Sequence, residues 1–148
     1  TSMDLSGIAI YALLSSMLSL PKLTYLDLRV CKVIETLSLH SKSLKELNLG
    51  GCSSLKEIIV EFEKMTKLAL NGGISINALS SLILYLPKLM YLHLISCELI
   101  ESLNLHSKSL GELNLLKCSS LKEISMTSRA YCATERLQVL MFIQNLFV

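Results

Sequence analysis

Short leucine-rich segments recur along the chain with one pattern of apolar and polar positions. The pattern L-x-x-L-x-L-x-x-C begins at Leu23, Leu44, Leu89 and Leu110, and a weaker form begins at Met65. Its L-x-L core alternates with a period of two, which is typical of a strand with one buried face. Each unit therefore predicts one short strand whose first-, fourth- and sixth-place side chains point into a core.

The spacing of the units predicts how the strands assemble. The steps between the five starts are 21, 21, 24 and 21, and a degraded last unit is predicted to begin at Leu137. Steps of this size are typical of leucine-rich repeats. Stacked units form a parallel sheet with strands about 4.8 Å apart. The predicted fold is an α/β leucine-rich-repeat solenoid of five to six turns, with a parallel concave sheet and a convex side of extended segments and short helices.

A longer duplication contains these units. Residues 20–60 and 86–126 align without a gap at an offset of 66 and agree at 28 of 41 positions. Residues 7–13 and 73–79 extend the match upstream more weakly. Two short steps and the one long step together make up this offset, so the duplication copied three units together.

The segments between the strands fall into two kinds. Four of them alternate again and predict extended chain on the convex side: 34–39, 55–60, 100–105 and 121–126. In 76–86, by contrast, Leu79, Leu82 and Leu86 follow one another at three- and four-residue spacing, which predicts a short amphipathic helix before Pro87. Residues 10–20 mirror this segment, so the longest unit is predicted to carry the helix.

The composition favours a piece of a longer stack over a free-standing globule. Hydrophobic residues make up 51% of the chain, charged residues 18%, and mean hydropathy is +0.53. A small closed domain normally carries more charge on its surface. We therefore expect residues 1–148 to form one uncapped leucine-rich-repeat domain, with 128–148 as its degraded last unit.

Charge and hydropathy argue against nucleic acid and membranes as partners. Fourteen basic and twelve acidic residues give a formal net charge of +2, and no run of lysine and arginine stands out along the sequence. No secretory signal pattern is visible. The most apolar stretch, 78–97, is interrupted by Pro87 and Lys88 and alternates where a membrane helix would be continuous.

The five cysteines predict buried thiols. They lie at positions 31, 52, 97, 118 and 132 and include no C-x-x-C pair, so a zinc site is not expected. Four of them hold the ninth place, which we expect to turn inward and bond the backbone of the next turn. Cys31 and Cys52 could approach disulfide distance on adjacent turns, but an odd cysteine count favours reduced thiols.

No arrangement of catalytic residues stands out. His40 and His106 are three turns apart, about 14–15 Å by strand spacing, so they cannot share an ion, and both are expected in solvated turns on the convex edge. His93 has no carboxylate or nucleophile at a recognisable catalytic spacing. The chain also contains no G-x-x-x-x-G-K-[ST] phosphate loop. We expect no enzyme activity, cofactor, metal or small-molecule substrate.

The outward positions of the concave strands are the candidate binding face. In each unit the third, fifth and seventh places point away from the core, and their mixture of tyrosine, charge and amide suits protein recognition. The candidate protein-binding residues are Tyr25, Asp27, Arg29, Glu46, Asn48, Lys67, Tyr91, His93, Glu112 and Asn114. The two copies differ most at Asp27 against His93 and Arg29 against Ile95, which suggests a changed contact surface, although drift would look the same.

Two phrases resemble a known family. The run HSKSLKELNLGGCSSLKE over 40–57, its copy from His106, and KMTKLALNG over 64–72 are similar to the repeat domains of legume TIR–nucleotide-binding–leucine-rich-repeat disease resistance proteins. The resemblance covers about residues 1–127 and implies pathogen recognition or autoinhibition in the cytoplasm or nucleus. Its partner would be a pathogen effector, a guarded host protein or the receptor's own nucleotide-binding domain.

The sequence departs from this family in places, and other functions stay open. Gly7 and Gly73 stand near the family's usual threonine, a proline before the Ser-Ser pair is missing, and the pattern is lost from Ser128. One alternative is a substrate adaptor of the F-box type for ubiquitin ligation. The other is a structural or non-functional fragment.

Overall fold

The computed structural model describes residues 1–9, 21–72, 86–105, 107–126 and 138–140. Within these ranges the chain forms short strands joined by turns. In chain order they are β1 (Ser2–Asp4), β2 (Tyr25–Asp27), β3 (Thr36–Ser41), β4 (Glu46–Asn48), β5 (Glu57–Phe62), β6 (Lys67–Ala69), β7 (Tyr91–His93), β8 (Ser102–Leu105), β9 (Glu112–Asn114), β10 (Glu123–Met126) and β11 (Gln138–Leu140).

Seven of the strands form one parallel sheet, here called the main sheet. Its order is β1-β2-β4-β6-β7-β9-β11, so each strand pairs with the equivalent strand of the next coil. Strands β2, β4, β6, β7 and β9 each begin at the third place of one of the five sequence units, so the strands follow the spacing of those units. The stacked coils of a solenoid are therefore confirmed.

The last unit is displaced by one residue from its prediction. Gln138 pairs with Glu112 and Val139 with Leu113, whereas a unit beginning at Leu137 would place Val139 beside Glu112. The expected start at Leu137 is wrong by one position. From Glu112 to Gln138 the step is 26 residues, longer than any step between the earlier units, and the pairing places Val139 instead of Leu140 in the leucine row.

An additional strand precedes the first predicted unit. Strand β1 pairs with β2, with Met3 opposite Leu26, and the Leu5 amide donates to the Asp27 carbonyl at 2.8 Å. Met3 and Leu5 pack against the buried core. The chain therefore already forms part of a coil before Leu23, which the sequence analysis did not anticipate.

The extended return segments also pair. Strand β3 lies parallel to β5, and β8 lies parallel to β10, so the two copies each build a two-stranded sheet. This confirms extended chain in the last four residues of each predicted segment, since every strand begins two residues after the predicted start. Each pair carries one exposed ion pair, Lys56–Glu35 at 2.9 Å and Lys122–Glu101 at 3.0 Å. These two ion pairs occupy equivalent positions in the two copies, so the duplication is visible in side-chain contacts as well.

The predicted helices in 10–20 and 76–86 fall almost wholly outside the described residues, as does the weaker match between 7–13 and 73–79. Leu86, at the end of the second segment, is buried. The helical part of the expected α/β class therefore stays a prediction. In the described ranges no helix is long and apolar enough to span a bilayer.

The core lies between the main sheet and the return strands. First-, fourth- and sixth-place side chains are buried in every predicted unit from Leu23 to the unit at Leu110, except Leu110 itself, which is partly buried. Leu37, Leu39 and Leu103 of the return strands join the same cluster. Because each coil contributes the same rows, the coils bury continuous columns of leucine against one another.

In four units a cysteine at the ninth place bonds the backbone of the preceding coil. Cys52 Sγ donates to the Leu28 carbonyl at 3.0 Å, and Cys118 Sγ donates to the Leu94 carbonyl at 2.8 Å. The inward position is confirmed, but the expected bond to the next turn is wrong, since the partner belongs to the preceding turn. The sixth-place carbonyl points toward the following coil and so meets that coil's thiol.

The residue before each of these positions adopts a left-handed backbone. The eighth place has a positive φ in the described coils, from 58° to 74°, at Gly7, Val30, Gly51, Gly72, Ser96 and Lys117. Its amide donates to the seventh-place carbonyl of the next coil, as Val30 does to Gly50 at 2.8 Å. The turn thus redirects the chain inward while extending the inter-coil ladder past the strand.

Candidate binding face on the main sheet

The predicted binding residues lie together on the main-sheet face that points away from the core. The register places one row of third-place residues on neighbouring strands: Tyr25, Glu46, Lys67, Tyr91 and Glu112. A second row holds the fifth places: Asp27, Asn48, Ala69, His93 and Asn114. Arg29 stands in a third row at the strand ends. All ten candidate residues therefore share one surface, here called the main-sheet face.

Asp27 forms the densest polar cluster on this face. Its carboxylate accepts hydrogen bonds from the Tyr25 hydroxyl at 3.0 Å and from Arg29 Nε at 2.9 Å, and Arg29 Nη2 also lies 2.9 Å from it. These neighbours cover the carboxylate, leaving Asp27 only 1% exposed. Asp27 is consequently a buried anchor for Tyr25 and Arg29, while Arg29 itself stays half exposed.

The electrostatics of the cluster follow from these contacts. Burial alone would raise the pKa of Asp27, but hydrogen bonds from Arg29 and Tyr25 outweigh it and hold that pKa below its usual 3.8. Burial and donation to this carboxylate raise the pKa of Tyr25. The Asp27 carboxylate likewise raises the pKa of Arg29. The cluster is therefore a fixed ion pair at neutral pH, and no member of it is poised to exchange a proton.

The second copy places a different contact on the same scaffold. His93 stands where Asp27 stands in the first copy, and its Nε2 lies 2.9 Å from Glu112 Oε1 on the next strand. Tyr91 is 39% exposed, whereas its counterpart Tyr25 is tied to Asp27. The second copy thus leaves an aromatic ring available beside a histidine–carboxylate pair.

Several fifth-place side chains accept a hydrogen bond from the backbone amide two residues later. Asn48 Oδ1 accepts the Gly50 amide at 3.1 Å, and Asn114 Oδ1 accepts the Leu116 amide at 3.1 Å. Asp27 does the same for the Arg29 amide at 3.0 Å. Such short side-chain-to-backbone bonds stabilise the turn that follows the strand. These three predicted binding residues therefore also hold the scaffold.

In the coil that contains His93, Asn71 of the preceding coil accepts the seventh-place amide instead of the fifth-place side chain. His93 provides no such bond to Ile95; instead, Asn71 of the preceding coil accepts the Ile95 amide at 3.0 Å. Asn71 is an outward seventh-place position by its place in the repeat, but it is not among the ten candidates. No sequence signal distinguishes it, because its acceptor role depends on the residue at the fifth place of the next coil.

Asp4 is a polar residue of this face that sequence reasoning missed. It lies opposite Asp27 in the register of β1 and β2, and Asp4 Oδ1 accepts the Ser6 amide at 2.9 Å. This bond lowers the pKa of Asp4. The alternation of Met3 and Leu5 around it was the signal that could have identified β1.

The cysteines offer no accessible reactive group in the described ranges. Cys31, Cys52, Cys97 and Cys118 are buried and free of disulfides, while Cys132 lies outside those ranges. Burial raises the pKa of Cys52 to about 11. The neighbouring Cys118 thiol together with burial raises the pKa of Cys97, and the same interaction lowers the pKa of Cys118 to about 7. Cys52 and Cys97 are therefore poor nucleophiles at neutral pH, and Cys118 is only 3% exposed.

Of the two other histidines considered from the sequence, the structure describes His40. His40 is exposed and lies within β3, so the expected solvated position is confirmed but the expected turn is wrong. His106 falls outside the described residues. Across the part of the chain that is described, no group of three or more histidine, cysteine or acidic side chains is arranged to hold a metal ion.

Comparison with known proteins returned no match for this chain, whether among protein-family models, curated proteins or solved structures.

Proposed function

We propose that the chain is a protein-recognition module that binds a partner protein through the main-sheet face. The observation that carries this proposal is the contrast between the two copies. Their cores and their Lys–Glu ion pairs repeat at equivalent positions. On the main-sheet face, by contrast, Asp27 pairs with Arg29 in the first copy, whereas its counterpart His93 contacts Glu112 in the second. A preserved scaffold with a changed face suits recognition.

The chemistry of the face supports binding better than catalysis. Tyr91 offers an exposed aromatic ring, and Arg29 and Lys67 offer exposed cations. Tyrosine and arginine are enriched among residues that dominate protein–protein binding energy. The carboxylates of Asp27 and Glu112 are already engaged by Arg29 and His93. We accordingly propose a binding protein without enzyme activity, cofactor or small-molecule substrate.

The resemblance of 40–57 and 64–72 to plant receptor repeats refines this proposal. On that basis the chain would be part of the leucine-rich-repeat domain of an intracellular plant immune receptor, in the cytoplasm or nucleus. The partner would be a pathogen effector, a guarded host protein or the receptor's own nucleotide-binding domain. This refinement is supported by the amino-acid sequence of these repeats alone.

A two-hybrid screen against a library of host and pathogen proteins tests the binding proposal. Interactors are retested with a face variant, Lys67→Ala, Tyr91→Ala and His93→Ala, whose side chains make no backbone hydrogen bond. The matched control changes two exposed residues of β3 and the exposed residue before β10: Thr36→Ala, Ser38→Ala and Lys122→Ala. We expect interactors that the face variant loses and the control retains. Interactors lost equally by both variants, or by the control alone, would rule out the main-sheet face.

A further inference from the structure

The fold brings lysines that are far apart in the sequence onto one edge of the main sheet. Five neighbouring strands of the main sheet, β2, β4, β6, β7 and β9, are each preceded by a two-residue turn, and each turn contains one lysine. These five are Lys22, Lys42, Lys64, Lys88 and Lys108. Lys45, which directly precedes β4, and Lys67, the first residue of β6, add to them. We call these seven exposed residues the lysine edge; it holds half of the chain's 14 basic residues.

The backbone fixes these turns in register. The Lys45 amide donates to the Thr24 carbonyl at 2.9 Å, Thr66 donates to Lys45 at 2.8 Å, and Met90 donates to Thr66 at 2.8 Å. The turns therefore follow one another at the strand spacing of about 4.8 Å. Four such spacings place the first and last turn lysines about 19 Å apart. Positions that whole coils separate in the sequence thus become a continuous row.

The lysine edge carries an excess of positive charge, although Glu46 lies opposite Lys67 in the register of β4 and β6. In the described ranges no carboxylate forms an ion pair with any of its seven ammonium groups, whereas Lys56 and Lys122, which directly precede β5 and β10, are both paired. Glu63 is the one acidic residue in the five turns. Surfaces normally intersperse the two signs, and a row of one sign attracts a partner of the opposite sign.

We propose that the lysine edge binds an extended acidic segment of a partner polypeptide. Alternate side chains of an extended peptide repeat every ~6.8 Å, and four alternate carboxylates therefore span about 20 Å, the length of the edge. The five turns consist of Pro, Lys, Ser and Glu, so they offer no aromatic ring on which a nucleobase could stack. Glu63, in the central turn, opposes a continuous phosphate backbone but is compatible with a peptide that has a neutral residue there.

Six of the seven lysines lie outside the main-sheet face, and Lys67 belongs to both surfaces. A partner could contact both, because the third-place row begins where the turns end. The inference does not depend on the proposed function, since it rests on charge and register alone. The sequence shows no run of basic residues, because these lysines become neighbours only when the coils stack.

The test uses a fluorescent twelve-residue peptide of alternating glutamate and alanine, with binding to the full chain followed by anisotropy. The edge variant carries Lys42→Gln, Lys64→Gln and Lys88→Gln. The control variant carries Lys32→Gln, Lys56→Gln and Lys122→Gln, which changes the net charge equally. Loss of three exposed ion pairs should weaken binding roughly tenfold in the edge variant and less than about twofold in the control. Glu63→Lys should tighten binding about threefold.

Three results would overturn the proposal. Equal weakening by both triple variants would show a response to net charge alone. Unchanged binding in the edge variant would place the peptide elsewhere. Tighter binding to a twelve-nucleotide oligothymidine, or to phosphatidylserine vesicles, than to the peptide would assign the edge to a phosphate partner. Circular dichroism of each variant confirms that the fold is intact.

Discussion

Asn71 Oδ1 accepts the backbone amide of Ile95 at 3.0 Å, a contact between successive coils. In four other coils the equivalent seventh-place amide is bonded by an Asp or Asn two residues before it, at Asp4, Asp27, Asn48 and Asn114. The coil that contains His93 has no such residue. Asn71 therefore supplies the acceptor that His93 does not, and we expect the two positions to be energetically linked.

This linkage predicts that Asn71→Ala lowers the free energy of unfolding by about 1 kcal/mol, because the Ile95 amide loses its acceptor. Asn71→Asp keeps an acceptor oxygen and should cost clearly less. Urea denaturation of the three proteins measures the difference. Adding His93→Asn to Asn71→Ala restores a local acceptor and should recover part of the loss; an additive double variant would contradict the linkage.

The buried carboxylate of Asp27 predicts a pH-dependent stability. Its pKa is lower in the folded protein than the usual 3.8, so its contribution is fully present above about pH 4 and is lost as pH falls through the folded pKa. Asp27→Asn should cost about 1–3 kcal/mol at pH 7, and its difference from the unchanged protein should shrink below about pH 4. Urea midpoints measured from pH 7 to pH 2 test this.

Glu101→Gln is the matched control for Asp27. Glu101 and its partner Lys122 are both largely exposed, and exposed ion pairs contribute little. The control should therefore follow the unchanged protein across the whole pH range. A stability difference for Asp27→Asn that stays constant down to pH 2 would mean that the Arg29 and Tyr25 contacts do not stabilise the charged carboxylate.

The left-handed eighth place predicts opposite effects for two substitutions. Val30 has φ 61° and is 49% exposed, so Val30→Gly should raise stability by about 0.5–1 kcal/mol, since relief of left-handed strain outweighs the entropy cost of glycine. Gly72→Ala should lower stability by about 1 kcal/mol, although a Cβ there meets no heavy atom within 4 Å. Thermal or urea unfolding measures both. If Val30→Gly destabilises while Gly72→Ala is neutral, the backbone account fails.

The sequence predicted the stacking well because the leucine rows carry it. Leu26, Leu47 and Leu68 recur at equal spacing, and stacking the coils in parallel places these side chains beside one another in the core. The register of the strands follows from that spacing. The return strands were predictable for the same reason. The sequence prediction placed the last unit one residue too late and did not include β1. In both places another residue replaces leucine in the buried row, Val139 in β11 and Met3 in β1, and the last step is longer than the others.

The candidate face was predictable as a set of positions but not as a set of contacts. Alternation alone places Asp27, Asn48 and Asn114 outward, yet it cannot show that their oxygens bond the following backbone. It also cannot show that Asp27 is covered by Arg29 and Tyr25. The lysine edge was invisible for a related reason, because its members are separated in sequence by whole coils and adjoin only after folding.

The most direct test of the account is site-specific photo-crosslinking of the chain to an interactor from the two-hybrid screen. p-Benzoylphenylalanine replaces Tyr91 on the main-sheet face in one protein and Ser38 on the exposed side of β3 in another. The account predicts a crosslinked complex from position 91 and none from position 38. Crosslinking from position 38 alone would contradict it and assign recognition to the return strands.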